Sequence, residues 1–311
     1  MRASRTRLLP LGLIGGILAT AGFGLAAPDV VAPPEDVDYT LNSAGFRDDR
    51  EYSVPKPPGV RRLVFVGDGF TYGARLPLEE SFVEQTESRL REWTAVPYQW
   101  EVLNVSGPAL NLMADIDLLT LKGLRYAPDV VVLMYHLNDA QGNQDTPLGG
   151  GPTTFTRLVD FIEGDVSRNE AAEVQRFLRD RGYLPALGPI LRPLSRRDLS
   201  YLLAHYLPLY WDAVVEALDR LEHLSTRHGF EVVVGVIPEI DRSWDIYPFD
   251  DLHARVGAEL SAHGFRVVDM KPALVEYPNE ELMVGGTDGH TNALANEIIA
   301  EELEAALVEI D

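Results

Sequence analysis

The stretch Arg62-Leu63-Val64-Phe65-Val66-Gly67-Asp68-Gly69-Phe70-Thr71-Tyr72-Gly73 limits what this chain can fold into more than any other part of it. Leu63 to Val66 make an apolar run too short for a helix, with the β-branched and aromatic residues that suit a buried strand. Gly67, Gly69 and Gly73 then force a tight turn, and a helical pattern predicted over 79–94 follows. Strand, glycine turn and helix is the arrangement by which α/β enzymes present reactive groups at the carboxyl end of a parallel sheet.

The alternation continues to the end of the chain. Trp100 to Asn104 reads as the second strand, and 105–109 as a loop. Leu112, Ile116, Leu119 and Leu124 give 110–126 helical spacing, and Val130-Val131-Val132-Leu133-Met134-Tyr135 is the clearest strand. An unbroken apolar run of that kind suits a central parallel strand covered on both faces. A Gly/Pro/Gln/Asn loop over 141–153 leads into an irregular helical insertion, 153–206, broken by Pro185, Pro189 and Pro193 and closed by Pro208. It is expected over the carboxyl end of the sheet as a lid. Helices at 209–228, 249–263 and 292–308 frame strands at 231–237 and 265–269. The prediction is an α/β fold over 61–311: a doubly wound, flavodoxin-like sheet of about five parallel strands flanked by helices.

Two segments precede that domain. Arg2, Arg5 and Arg7 lead into an uncharged stretch, Leu8 to Pro28, ending in small residues. Residues 1–27 therefore read as an export signal or a retained membrane anchor, which makes the expected location extracytoplasmic and any membrane contact limited to this segment. Residues 28–60, rich in Pro, Asp and Val, read as an extended linker or strap. A net charge of −21 argues against a nucleic-acid partner. The absence of cysteine removes disulfides, thiolate metal sites and a thiol nucleophile. His205, His223, His228, His253 and His263 fall in helical stretches and are expected at the surface. Tyr201, Tyr206, Tyr210 and Trp211 are expected to pack.

Four short blocks fall at predicted strand ends or helix starts: Gly67-Asp68-Gly69-Phe70-Thr71-Tyr72-Gly73, Asn104-Val105-Ser106-Gly107-Pro108-Ala109, Tyr135-His136-Leu137-Asn138-Asp139 and Thr287-Asp288-Gly289-His290-Thr291-Asn292. In this order they resemble the blocks of the SGNH/GDSL hydrolases. Leu41-Asn42-Ser43-Ala44-Gly45-Phe46-Arg47 is similar to a segment that precedes the domain in exported members. The resemblance implies ester hydrolysis, with His290 as base and Asp288 as its orienter. It further implies oxyanion donors from the N–H of Gly69, from the N–H of Ala109 or Gly107, and from the Asn138 side chain.

An acyl-enzyme needs a hydroxyl nucleophile, an imidazole to take its proton, a carboxylate to orient the imidazole and donors for the developing oxyanion. Here the nucleophile position is Gly69, which has no side chain. Loss of the nucleophile typically leaves only about 10³–10⁴ over water. Ala109 stands where the family has Gly, His136 replaces the Gly of the third block as a ring expected at the mouth of the site, and Asp288 precedes His290 by two positions rather than three. A backbone carbonyl is therefore an alternative orienter. Thr71 is a poor substitute nucleophile and is expected to cap the following helix, and Asp68 either caps the turn or lines the site. His290 activating water directly is a further route.

A dinucleotide fingerprint over Gly67-x-Gly69-x-x-x-Gly73 fails because the second strand ends at Asn104 rather than an acidic residue. Asp68, Asp139, Asp288 and His290 lack a metal-ligand spacing, so neither metal nor other cofactor is expected. The expected ligand is a small-molecule, lipid or glycan ester. The competing reading is a non-catalytic module that binds an acyl or carbohydrate ligand or an envelope partner.

Overall fold

The structure is a computed structural model that describes residues 37, 39–108, 110–140, 208–285 and 288–310. The segment 1–27, the loop at 141–153 and the insertion at 153–206 lie outside the described residues, as do Ala109 and Thr287. No described helix is long and apolar enough to cross a membrane.

Five parallel strands form the sheet: β1 (Val60–Gly67), β2 (Gln99–Asn104), β3 (Val130–His136), β4 (Glu231–Ile237) and β5 (Arg266–Asp269). Their order is β2-β1-β3-β4-β5, the doubly wound, flavodoxin-like order expected from the sequence. Side chains alternate across each strand. Leu63, Phe65, Val130 and Val132 face one core with Phe82, Val83 and Leu90 of α2 (Phe82–Glu92), and the final helix, Ala293–Val308, covers the same side. Val64, Val66, Val131 and Leu133 face the opposite core, closed by α3 (Leu112–Leu118), α4 (Pro208–His228) and α5 (Asp250–Ala262). Every residue of β3 is buried, as its apolar run requires.

Local chemistry moves some predicted boundaries. The helix expected over 110–126 is α-helical only to Leu118, then widens into a π turn (Leu119–Gly123) and a 3₁₀ turn (Leu124–Tyr126). The helix expected from 79 starts at Phe82, because Ser81 caps it through Glu84 N–H and Leu78–Glu80 is a separate 3₁₀ turn. Pro208 opens α4, where its missing N–H costs no hydrogen bond. Unforeseen was a two-stranded antiparallel ribbon separate from the main sheet, β6 (Met283–Gly285) with β7 (Asp288–Thr291).

Of the segment read as a linker or strap, residues 39–60 are bound to the domain as a strap. Asn42 Oδ1 accepts from the N–H groups of Ala44 and Phe46, which folds 42–46 into a turn, and Phe46 enters the core. Tyr52 donates to the Val102 carbonyl at 2.7 Å, and buried Arg62 of β1 reaches back to the Ser53 carbonyl at 2.7 Å. Arg47, 1% exposed, donates to the carbonyls of Tyr72, Gly73 and Leu76. The strap thereby grips the chain just after the glycine turn.

Candidate active site

In this strand order the crevice lies where the chain reverses direction across the sheet, between the carboxyl ends of β1 and β3. The glycine turn sits there. Gly67 has no space for a side chain: a Cβ would lie 2.1 Å from Thr71 Oγ1 and 3.0 Å from the Met134 carbonyl. The turn becomes a short helix, α1 (Gly69–Tyr72), capped by Asp68, whose Oδ1 accepts from Phe70 N–H at 2.9 Å. Gly73 ends it in the left-handed conformation at φ 70°. As the first residue of this helix, Gly69 carries an N–H that no intrahelical carbonyl satisfies, which leaves it available to a ligand oxygen.

Asp288 and His290 alternate by two on β7 and share a face of the ribbon. Asp288 Oδ1 lies 2.6 Å from His290 Nδ1 and also accepts from His290 N–H at 3.1 Å. A side-chain carboxylate, rather than a carbonyl, therefore holds the ring. Because a carboxylate only accepts, Nδ1 carries the proton and Nε2 presents a lone pair. That lone pair faces Gly69: a Cβ built there would lie 3.3 Å from Nε2. Burial raises the Asp288 carboxyl, but hydrogen bonds from the His290 ring and N–H, with the charges of His290 and Arg75, outweigh it and hold Asp288 below the usual carboxylate range.

Several predicted roles change. His136 is not at the mouth of the site; it is 3% exposed and stacks on Phe70 at 4.2 Å, and Phe70 in turn lies 5.0 Å from the His290 ring. Burial lowers its pKa, so it is neutral near pH 7. Its Nδ1 accepts from Asn138 N–H at 3.4 Å, which places the proton on Nε2, 3.6 Å from Glu239 Oε1. Gly107 is unsuited as an oxyanion donor because its N–H is committed to the Gly67 carbonyl at 3.2 Å. Thr71 is fully buried against Gly67, and its hydroxyl has no hydrogen-bond partner among the described residues, so it does not cap the helix. Asn138 sits partly exposed in the 3₁₀ turn Leu137–Ala140 at the end of β3. Asp139 closes that turn by accepting His136 N–H at 2.8 Å.

Beside the site lie carboxyls that the sequence reading had not connected. Burial raises Asp68 against the pull of His136, and burial with the charge of Asp68 pushes Asp115 up to about 8. Asp139 is raised well above the usual range by burial, then by Asp68 and Asp115. Both oxygens of Asp115 and Oδ1 of Asp139 have no hydrogen-bond partner among the described residues. Burial thus favours the protonated form of both Asp115 and Asp139. Among the described residues, the cluster with metal-ligand geometry lies elsewhere: exposed Asp219 and Glu222 with half-buried His263.

Arg75 was also missed. It has a positive φ of 70°, its N–H donates to the Tyr39 hydroxyl at 2.8 Å, and its Nε pairs with Asp288 Oδ2. No local pattern signals this, since the contact depends on an unusual backbone angle at a non-glycine residue. His253 was expected at the surface but is 7% exposed, hydrogen-bonded to Tyr247 and Asp269. The spacing of Phe249, Leu252, Val256 and Leu260 was the available signal, because His253 falls on the same helical face.

No family model matches the chain, and no curated protein matches it by sequence. Among solved structures it is similar to one described as the crystal structure of TesA, at 13% identity and a TM-score of 0.49, covering 81% of this chain and 100% of that one. A lipolytic protein of the G-D-S-L family from Veillonella parvula is similar at 15% identity and a TM-score of 0.44, covering 78% and 95%. A lipase/acylhydrolase from Enterococcus faecalis is similar at 14% identity and a TM-score of 0.46, covering 80% and 96%.

Proposed function

We propose that the chain is an exported SGNH/GDSL-type protein whose site binds an O-acyl ester of a small molecule, lipid or glycan. Its serine acyl-enzyme route is closed at Gly69. One observation carries this reading: His290 Nε2 lies 3.3 Å from the place a Cβ at Gly69 would take, with Asp288 on the other ring nitrogen at 2.6 Å. A hydroxyl on that Cβ would fall within hydrogen-bond reach of the base, about 2.6–3.2 Å. The site thus keeps its base, the orienter of that base and the Gly69 N–H, and has no attacking oxygen at position 69. Slow turnover by water activated at His290 is the route left open to the native site. Export rests on the arginines and uncharged stretch of residues 2–28.

The experiment compares p-nitrophenyl acetate hydrolysis by the native protein, Gly69→Ser, and Gly69→Ser with His290→Ala. Activity that appears with the serine and disappears with His290 supports the reading. The native protein is then a binder of acyl or carbohydrate ligands, or a catalyst limited to water. Native activity comparable to Gly69→Ser and dependent on His290 refutes the closed route. No activity in any form refutes the ester site.

A further inference from the structure

The base-carrying ribbon is separate from the main sheet; its Leu282 and Thr291 end is buried and bonded to Asn296 of the final helix, whereas the Gly285 and Asp288 end needs a tie of its own. Asp288 adds a second difficulty. It uses one oxygen, Oδ1, for both His290 N–H and Nδ1, so a free Oδ2 would let the carboxylate rotate away from the ring. Arg75 meets both needs: its Nε holds Oδ2, fixing the carboxylate at both oxygens and tying the ribbon to the glycine turn.

Arg75 is itself held at a cost. A left-handed backbone is strained at a residue with a Cβ, and such strain persists only where surrounding contacts over-determine it. Those contacts come from the strap. The Tyr39 hydroxyl accepts Arg75 N–H at 2.8 Å, and the Tyr39 ring stacks on Tyr72 at 5.7 Å. Beside this stacked pair lies the Arg47 guanidinium, 5.0 Å and 5.4 Å from the two ring centroids, donating to the carbonyls of Tyr72, Gly73 and Leu76. Arg47 thus fixes the chain on both sides of Arg75.

We propose that Arg75 is a positioning residue for the His290–Asp288 pair and that Tyr39 and Arg47 hold it in place, which makes the strap a working part of the site. This rests on the reading of His290 as the base. A purely structural strap would stabilise the fold without affecting the carboxylate on the histidine.

The test reads the ring directly. In protein with ¹⁵N-labelled histidine, the Nδ1 protons of His290 and His253 each lie in a hydrogen bond to a carboxylate and give downfield signals, assigned by their loss in His290→Ala and His253→Ala. Arg75→Gln is expected to broaden or remove the His290 signal and leave the His253 signal, which also reports that the fold is intact. Arg75→Lys is expected to restore part of it, and Tyr39→Phe to weaken it. In the Gly69→Ser background, Arg75→Gln is expected to lower kcat about 10²-fold with KM unchanged, the typical cost of a misplaced group. If Arg75→Gln unfolds the protein, Tyr39→Phe and Arg75→Lys decide. A His290 signal unmoved in the folded variants overturns the proposal. Failure of Gly69→Ser to turn over an ester counts against the proposed function alone, since the ring signal does not depend on turnover.

Discussion

Two histidine–aspartate pairs in this molecule share the same bond and differ in what lies beyond it. In each, Nδ1 donates to a carboxylate: His290 to Asp288 at 2.6 Å, His253 to Asp269 at 3.1 Å. Each carboxylate is held below its usual range despite burial, with its histidine the leading opposing cause. The difference is at Nε2. In His253 it accepts from the Tyr247 hydroxyl at 2.9 Å, which itself accepts from Glu239 N–H at 3.1 Å, so the ring is closed at both ends and 7% exposed. In His290 the nitrogen faces the empty position at Gly69, and the side chain is 34% exposed. A histidine–aspartate hydrogen bond is therefore not by itself a sign of catalysis. The unsatisfied second nitrogen, aimed at a place where a reacting atom fits, is the distinguishing feature.

The largest expected effect is on chemistry. Gly69→Ser should hydrolyse p-nitrophenyl acetate at least about 10³-fold faster than the native protein. Replacing His290 should abolish that gain, whereas replacing His253 should leave it in whatever protein remains folded. Equal dependence on both histidines would erase the distinction.

Stability should show the reverse order. His253→Ala leaves the buried Tyr247 hydroxyl without its acceptor, a loss of about 1–3 kcal/mol in urea unfolding, while exposed Asp269 keeps the Lys271 N–H. His290→Ala, at a partly exposed ring, should cost about 1 kcal/mol or less. A larger loss at His290 would mean that its pair is chiefly a structural tie.

Asp115 sharpens the contrast, because among the described residues no cation or histidine bonds its carboxyl. Its folded pKa, about 8, is raised above the unfolded value, so its stabilising contribution is full below about pH 4 and is lost as pH rises through 8. In that window the unfolding free energy should fall by up to about 1.4 kcal/mol per pH unit, and Asp115→Asn should flatten the slope. Asp288 and Asp269 have the opposite sign. Their contribution is present above about pH 4 and lost only as pH falls further, so Asp269→Asn should change only the acid limb. The smallest effect is expected from Tyr247→Phe, which uncovers His253 Nε2 without giving it a substrate. Esterase activity gained by Gly69→Ser should be unchanged in this variant.

The fold was legible wherever one physical signal dominated. The run Val130 to Tyr135 could hardly be other than a central strand, and it is buried along its whole length. The glycine turn was legible because three glycines between a strand and a helix leave few conformations. Pairing within the site was legible only where it was local, as with Asp288 and His290 two residues apart on one strand. What escaped depended on contacts distant in sequence. Arg75 reaches Asp288 through a backbone angle that arginine rarely adopts, and that angle exists because Tyr39 and Arg47 reach across from the strap. Gly107 appeared to offer a free N–H until strand packing placed the Gly67 carbonyl beside it. His136 looked like a rim residue because the residue after a strand usually is one; here β3 extends one residue further and buries it.

The central claim is that His290 is aimed at position 69, and covalent labelling tests it most directly. The native protein, Gly69→Ser and Gly69→Ser with His290→Ala would be treated with a fluorophosphonate and the modified residue located by mass spectrometry. The account predicts no adduct on the native protein, an adduct on residue 69 once serine is present, and its loss when His290 is removed. An adduct on Thr71 or another native hydroxyl, or a serine at position 69 that stays unlabelled in a folded protein, would contradict it.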